Sequence, residues 1–502
     1  MHNLVEQIID DLDIKLEKAI SEISDKLIIK EVGIVVEVKN SIIIASGFSK
    51  IFNEECVIIS GKFLGIVTSL DENFIKIILL NKTKKIKIGD SIQRTNKSFS
   101  VPVGDNLIGR VVDGLGNPLD DLGRIKIHHK LPAERPAKPI MQRSPVNVPI
   151  ETGSKIIDAF IPIGMGQREL ILGDRQTGKT SIAIDVILNQ KGKNVICIYC
   201  AIGQKDSAVA NVIEKLKVEK AMDYTVVVKA SSNELSGHQF IAPYSATSMA
   251  EYFMENGRNV LLIYDDLTKH ARAYRELSLL LERSPGREAF PGDIFYIHSR
   301  LLERSTRLKD EFGGGSITSL PIVETELGNM ASYIPTNIIS ITDGQIYFST
   351  DYFQKGLLPA IEIGKSISRV GHQAHLKAYK AVSQKLSVAY SQFKELEMFS
   401  KFATKLDEYT GQIMKRGKKL SEVLTQGRYA MIPTAEQIGI FLCINNGIFD
   451  DVETDEMVEV ENLIRKTIVQ EFSSMIKTIM ANEELTDFVI NEFAENIRGK
   501  LS

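Results

Sequence analysis

Eight consecutive residues carry the most specific chemistry in the chain. Gly173, Asp174, Arg175, Gln176, Thr177, Gly178, Lys179 and Thr180 fit the pattern G-x-x-x-x-G-K-[ST], with Ser181 directly behind. Leu170, Ile171 and Leu172 read as a short strand ahead of the loop. Ile182, Ala183, Val186 and Ile187 give helical spacing after it. Strand, loop and helix are the context that makes such a pattern a phosphate-binding loop. Gly173 and Gly178 let the backbone curl so that its N–H groups point at phosphate oxygens. The following helix aims its positive end at the same anion. Lys179 can neutralise the β- and γ-oxygens of a bound nucleotide, and the Thr180 hydroxyl suits Mg²⁺.

A second nucleotide element should be an apolar strand ending in a carboxylate. Asn259-Val260-Leu261-Leu262-Ile263-Tyr264-Asp265-Asp266 supplies one, leaving room after Lys179 for intervening strand–helix units. Asp265 directly follows the strand and is the expected Mg²⁺ residue, acting through water. Asp266 could instead cap the segment behind it. Together the two elements specify a nucleoside-triphosphate-binding core, but not which machine contains it.

Elements that must position these residues are legible in the pattern around them. Residues 1–27 read as an amphipathic helix, with Leu4, Ile8, Leu12, Leu16 and Ile20 on one stripe. Such a helix can pack on its own domain or lie in a partner's groove. Residues 28–98 hold short β-rich runs separated by Gly, Asn and Asp, as in a small β-barrel. Residues 99–371 alternate apolar β-like runs with helical patterns, which predicts a parallel sheet with crossover helices. A proline-rich connector spans 132–149. Residues 372–502 keep helical periodicity to the end and read as an all-α domain. Cys197 and Cys200 lie three apart on a predicted strand, so they face opposite sides and are expected to be core thiols.

Composition narrows the classes further. The 502 residues are 43% hydrophobic and 25% charged, ordinary for a folded multidomain protein. A net charge of −3 offers no basic excess for nucleic acid or anionic lipid. Four cysteines cannot form a disulfide framework. No apolar run reaches the length of a membrane span, so membrane attachment would need a partner.

Three longer stretches carry a resemblance. Residues 151–181, 264–305 and 333–356 closely resemble the alpha subunit of F-type ATP synthases, and a weaker likeness runs from about 28 to 450. The resemblance implies a β-barrel crown, a RecA-type nucleotide domain and a helical C-terminal domain. It also implies a ring of three alpha and three beta subunits around a central shaft, a peripheral stalk docked on residues 1–27, and a place on the cytoplasmic face of a bacterial, or equivalent organellar, energy-coupling membrane. The complex would make ATP from ADP and phosphate using a proton or sodium gradient, with the alpha site binding nucleotide without turning it over. Gln204 stands where the catalytic relatives carry a carboxylate, and an amide cannot act as general base. Ser366-Ile367-Ser368-Arg369-Val370-Gly371 matches the family's S-x-S-R-V-G. Arg369 would be an arginine finger for the adjacent beta site, with Ser366 fixing its segment. Phe353, Gln426 and Arg428 occupy the family's adenine pocket. Arg428 replaces a second glutamine there, and Leu358 replaces a common arginine. His270-Ala271-Arg272 looks closer to an alternative, partly sodium-linked branch of the family.

Two other readings compete. A self-sufficient hexameric ATPase of a secretion-export motor would need a carboxylate where Gln204 stands. A nucleic-acid-translocating hexamer is disfavoured by the near-neutral charge.

Overall fold

A computed structural model describes residues 31–83, 85–400 and 408–501. The amphipathic stretch 1–27 lies outside the described residues.

The first six strands are short and rich in Ile and Val. They are β1 Val32–Lys39, β2 Ile42–Ser46, β3 Glu55–Ile59, β4 Phe63–Leu70, β5 Ile75–Leu79 and β6 Ser91–Ser98. They close into a barrel in the order β1-β2-β5-β4-β3-β6. Closure removes exposed sheet edges and lets Val35, Ile43, Val57, Val67, Ile77 and Ile92 form a core of their own.

The central sheet has eight strands. Along the chain they are β7 Val111–Asp113, β8 Glu169–Gly173, β9 Val195–Gln204, β10 Thr225–Ser231, β11 Asn259–Asp265, β12 Ser316–Glu324, β13 Gly344–Phe348 and β14 Ile367–Ser368. Their spatial order is β14-β13-β8-β12-β11-β9-β10-β7. All pairs are parallel except the edge pair β13–β14. Strands covered on both faces need apolar side chains on both, and Val195–Gly203 is buried throughout. Cys197 and Tyr199 point into one core, whereas Ile198 and Cys200 point into the other. The two thiols thus sit on opposite faces, both fully buried, as their spacing predicts.

One sheet face shares its core with the C-terminal helices, through Ile438, Phe441 and Phe493. Those helices are Lys377–Ser400, Glu408–Leu424, Thr434–Asn445, Met457–Glu471, Ser473–Met480 and Asp487–Leu501. No helix among the described residues is long and apolar enough to cross a membrane.

Ions anchor the proline-rich connector. Arg304 is buried and donates to both oxygens of buried Glu251, at 2.8 and 3.0 Å, to Ala133 O at 2.7 Å and to Ser248 Oγ at 2.7 Å. Arg135 adds a 2.8 Å bond to Glu251 from the connector itself. Glu251→Ala would strand the buried guanidinium, so it should cost about 3–5 kcal/mol in denaturant unfolding. A loss below about 1 kcal/mol, the scale of a surface pair, would contradict this role.

Candidate functional site

Strand β8 ends at Gly173, and the helix Lys179–Leu188 starts after the loop. A Cβ at Gly173 would lie 2.5 Å from Phe348 O, so only glycine lets β8 turn against β13 here. Gly178 closes the loop in the left-handed region, with φ of 99°. Lys179 folds its ammonium back onto the carbonyls of Gly173, at 2.8 Å, and Asp174. Burial pushes its pKa below the usual lysine value, against the pull of nearby carboxylates such as Glu324 and Asp266.

Several loop side chains hold the loop itself. Asp174 accepts from Thr325 Oγ1 at 2.6 Å, Gly328 N at 2.9 Å and Thr350 Oγ1 at 3.1 Å. Burial opposes the charge on Asp174, yet these donors hold its carboxyl below the usual range. Thr177 donates to Asp174 O at 2.8 Å. Arg175 is exposed and pairs with Glu324 at 3.0 Å, and Gln176 turns the loop with φ of 63°. Ser181 faces the recess beside the loop.

Asp265 ends β11 with 2% exposure. Its Oδ2 accepts from Thr180 Oγ1 at 2.9 Å and from Tyr199 OH at 2.7 Å. Its Oδ1 accepts from Gln204 Nε2 at 2.7 Å. The other end of that amide, Gln204 Oε1, accepts from Lys269 Nζ at 2.8 Å. Parallel pairing sets this up, because Ala201 on β9 sits opposite Asp265. Gln204 therefore projects just beyond the carboxylate. Asp266 does cap the next helix, accepting from Lys269 N at 2.8 Å. Full burial and the adjacent Asp265 push its carboxyl up to about 7, with Lys269 opposing the shift. His270, one turn on, is buried against His298 and the Phe240 carbonyl.

Thr180 and Asp265 present hard oxygens side by side, the donor type that Mg²⁺ takes. No cluster of three or more His, Cys, Asp or Glu among the described residues could hold a metal alone.

Beside the loop lies a narrow recess of about 40 Å³. The Lys179–Leu188 helix lines one wall with Ser181 and Asp185; Phe353, Leu358, Gln426 and Arg428 line the others. Gln426 is committed to backbone. Its Oε1 accepts from Lys155 N at 2.9 Å, and its Nε2 donates to Gly153 O at 2.8 Å and to Ala430 O.

Arg369 lies elsewhere. Its neighbour Ser368 pairs with Gly344, which pairs in turn with Glu169 at the start of β8. The phosphate loop begins at the other end of that strand, four residues or roughly 13 Å away. The Arg369 side chain is exposed. Around it the backbone is clamped. Ser366 Oγ accepts from Tyr347 N at 2.9 Å and donates to Glu362 O at 2.8 Å. Ser368 Oγ donates to Pro162 O at 2.7 Å. A Cβ on Gly371 would fall 1.6 Å from the same Pro162 oxygen.

Sequence reasoning missed Tyr199, Lys269 and Asp185. Tyr199 had a weak signal, being two residues from Cys197 and hence on the same strand face. Lys269 and Asp185 had none, because their partners come from distant segments.

Comparison with known proteins agrees with this architecture. The family described as "ATP synthase alpha/beta family, nucleotide-binding domain" matches residues 153–368, and "ATP synthase alpha/beta chain, C terminal domain" matches 375–499. The chain is 54% identical to "ATP synthase subunit alpha 2" of Albidiferax ferrireducens over 436 residues, covering 87% of this chain and 82% of that one. It is 49% identical to "ATP synthase subunit alpha 1" of Marinomonas sp. over 477 residues, covering 95% and 94%. It is 54% identical to "ATP synthase subunit alpha 1" of Chlorobium luteolum over 429 residues, covering 86% and 84%. With a closed barrel, a phosphate loop on a parallel sheet and a helical C-terminal region, the chain belongs to the ATP synthase alpha/beta family, among its alpha subunits.

Proposed function

We propose that this alpha subunit binds MgATP or MgADP tightly without hydrolysing it, and lends Arg369 to the catalytic site of a neighbouring beta subunit. The observation that carries the first half is Gln204. Its amide occupies the end of β9 with both atoms engaged, by Asp265 and by Lys269. An amide in that position can orient water but cannot take its proton. Lys179 and the backbone of 173–178 would hold the phosphates, with Mg²⁺ between Thr180, Asp265 and water. Asp265 keeps Thr180 pointed toward that position.

Support for the second half comes from layout. Arg369 is exposed on a clamped segment at the opposite end of β8 from this chain's own phosphate loop. An arginine there serves a different subunit's nucleotide more readily than its own. Its planar fork bonds several phosphate oxygens and stays charged. The wider assembly is the family's: alternating beta subunits, a central shaft, and a peripheral stalk on residues 1–27. Membrane contact is through partners, on the cytoplasmic face, and a proton or sodium gradient drives synthesis.

The purified chain should bind MgATP and turn it over only at background. Lys179→Ala should weaken that binding, because a buried phosphate loses its countercharge. Steady hydrolysis by the chain alone, abolished by Lys179→Ala, would contradict the non-catalytic reading.

Reconstitution with a wild-type beta partner tests the finger. Arg369→Ala should lower multisite turnover by about 10³–10⁵ while nucleotide occupancy stays near normal. Arg369→Lys should not rescue, since an ammonium cannot copy the fork. Occupancy falling as far as rate would make Arg369 a ground-state binding residue instead. In the same system, removing residues 1–27 should leave ATPase intact and abolish coupling to the ion gradient. Failure of the head to assemble would place that stretch in the chain's own core.

A further inference from the structure

The strand that leads into the phosphate loop starts with a carboxyl group that the loop does not use. Glu169 is fully buried, and its Oε1 has no hydrogen-bond partner. We propose that Glu169 is a positioning residue for Arg369: through the Gln167 amide it fixes the Ser368 hydroxyl, and with it the direction in which Arg369 leaves β14. This role rests on the reading of Arg369 as a group acting on a neighbouring subunit's nucleotide, and deepens it.

Strand register brings the carboxyl to that place. Glu169 on β8 sits opposite Gly344 on β13, and Gly344 sits opposite Ser368 on β14. A Cβ on Gly344 would crowd Ile367 O and lie 2.6 Å from Glu169 Oε2. Glycine is what lets the carboxyl lie over β13 and reach toward β14. Gln167 closes the remaining gap. Its Nε2 donates one hydrogen to Glu169 Oε2 at 2.7 Å and the other to Ser368 Oγ at 2.9 Å. Its Oε1 accepts from Gly164 N at 2.8 Å. Ser368 Oγ in turn donates to Pro162 O at 2.7 Å and accepts from Gly371 N at 3.1 Å.

The hydrogen bonds run in one direction. The Ser368 proton is committed to Pro162 O, so towards Gln167 the hydroxyl can only accept. The amide must therefore present its NH₂ end, and the acceptor at Glu169 takes the second hydrogen of that end. Without the carboxyl, a buried N–H loses its partner, which is costly enough to displace the amide. Burial holds the Glu169 carboxyl well above the usual carboxylate range, and the Asp343 charge adds to this, against the pull of Gln167 and Arg369. The bare Oε1 fits that neutral form, since an ionised oxygen without a donor is costly in a dry setting. Arg369 N also donates to Asp343 O at 2.9 Å. Loss of the Glu169 tie thus loosens one side of the segment and leaves the other held.

The test uses the full alpha chain reconstituted with a wild-type beta partner, following multisite ATPase, nucleotide occupancy and melting temperature. Glu169→Leu fills the space but offers no acceptor. It should lower turnover by about tenfold to a hundredfold, the scale of a misplacement of about 1 Å, while occupancy stays near normal. Glu169→Gln keeps the acceptor and the neutral charge, and should recover most of that loss. In an Arg369→Ala background, read by single-turnover kinetics, Glu169→Leu should cost nothing further, because it acts only through that arginine.

An equal effect of Glu169→Leu in both backgrounds would overturn the proposal. So would a loss that glutamine does not recover, or a lower melting temperature with turnover unchanged. Should the leucine variant fail to assemble, Gln167→Met breaks the same bridge and should show the same loss and the same dependence on Arg369. Failure of both to assemble would make the cluster a folding element and overturn the positioning role. If Arg369→Ala alone leaves turnover near wild type, the finger reading fails and takes this role with it. A collapse with Arg369→Ala beside an unaffected Glu169→Leu sinks the positioning role alone.

Discussion

The Asp265 carboxylate is the constraint on which the site depends. It sits almost fully buried at the end of β11, where an ionised group is costly unless hydrogen bonds satisfy it. Three donors meet that need: Thr180 from the phosphate-loop helix, and Tyr199 and Gln204 from β9. Each donor is thereby held in place. The Thr180 hydroxyl is aimed, the Gln204 amide is immobilised, and β9 is tied to the loop helix. Lys269 extends the network from Gln204 back to Asp266, whose side chain starts the next helix. Loss of the whole side chain would release the Thr180 hydroxyl, the Tyr199 hydroxyl and the Gln204 amide together.

The sheet separates two kinds of chemistry along one strand. Its phosphate loop lies at the end of β8, packed against Phe348, and a recess opens beside it toward the 426–431 segment. The Arg369 segment lies at the opposite end, pinned by Ser366, Ser368 and the close approach of Gly371 to Pro162. The backbone on both sides of the exposed Arg369 is thus held rigid. Ser366 contributes by holding β13 to this segment, without itself meeting the nucleotide loop.

Much of this was legible in the sequence because some signals are local. The glycine and lysine spacing of 173–180 dictates a loop wherever it comes after a strand. A period of two put Cys197 and Cys200 on opposite faces, and of the two aspartates after an apolar run, Asp266 was open to reading as the helix cap it is. Gln204 could be read only through the family's motif. Through-space contacts left no such trace. Tyr199 and Lys269 acquire their partners from strand register and helix position. Asp185 meets Tyr429 across 244 residues of chain. Asp174 and Thr177 lie inside the phosphate-loop pattern, yet their side chains brace the loop, a division of labour that spacing does not reveal.

The role of Asp265 is tested most directly by the magnesium dependence of nucleotide binding in Asp265→Asn. Affinity for ATP should be measured with Mg²⁺ and with EDTA, in wild type and variant. The asparagine can still accept from Thr180 but brings no charge to the cation. The variant should lose most of the Mg²⁺-dependent gain, about tenfold or more, while metal-free binding changes little. A variant that keeps the wild-type ratio between the two conditions would contradict a metal role for Asp265.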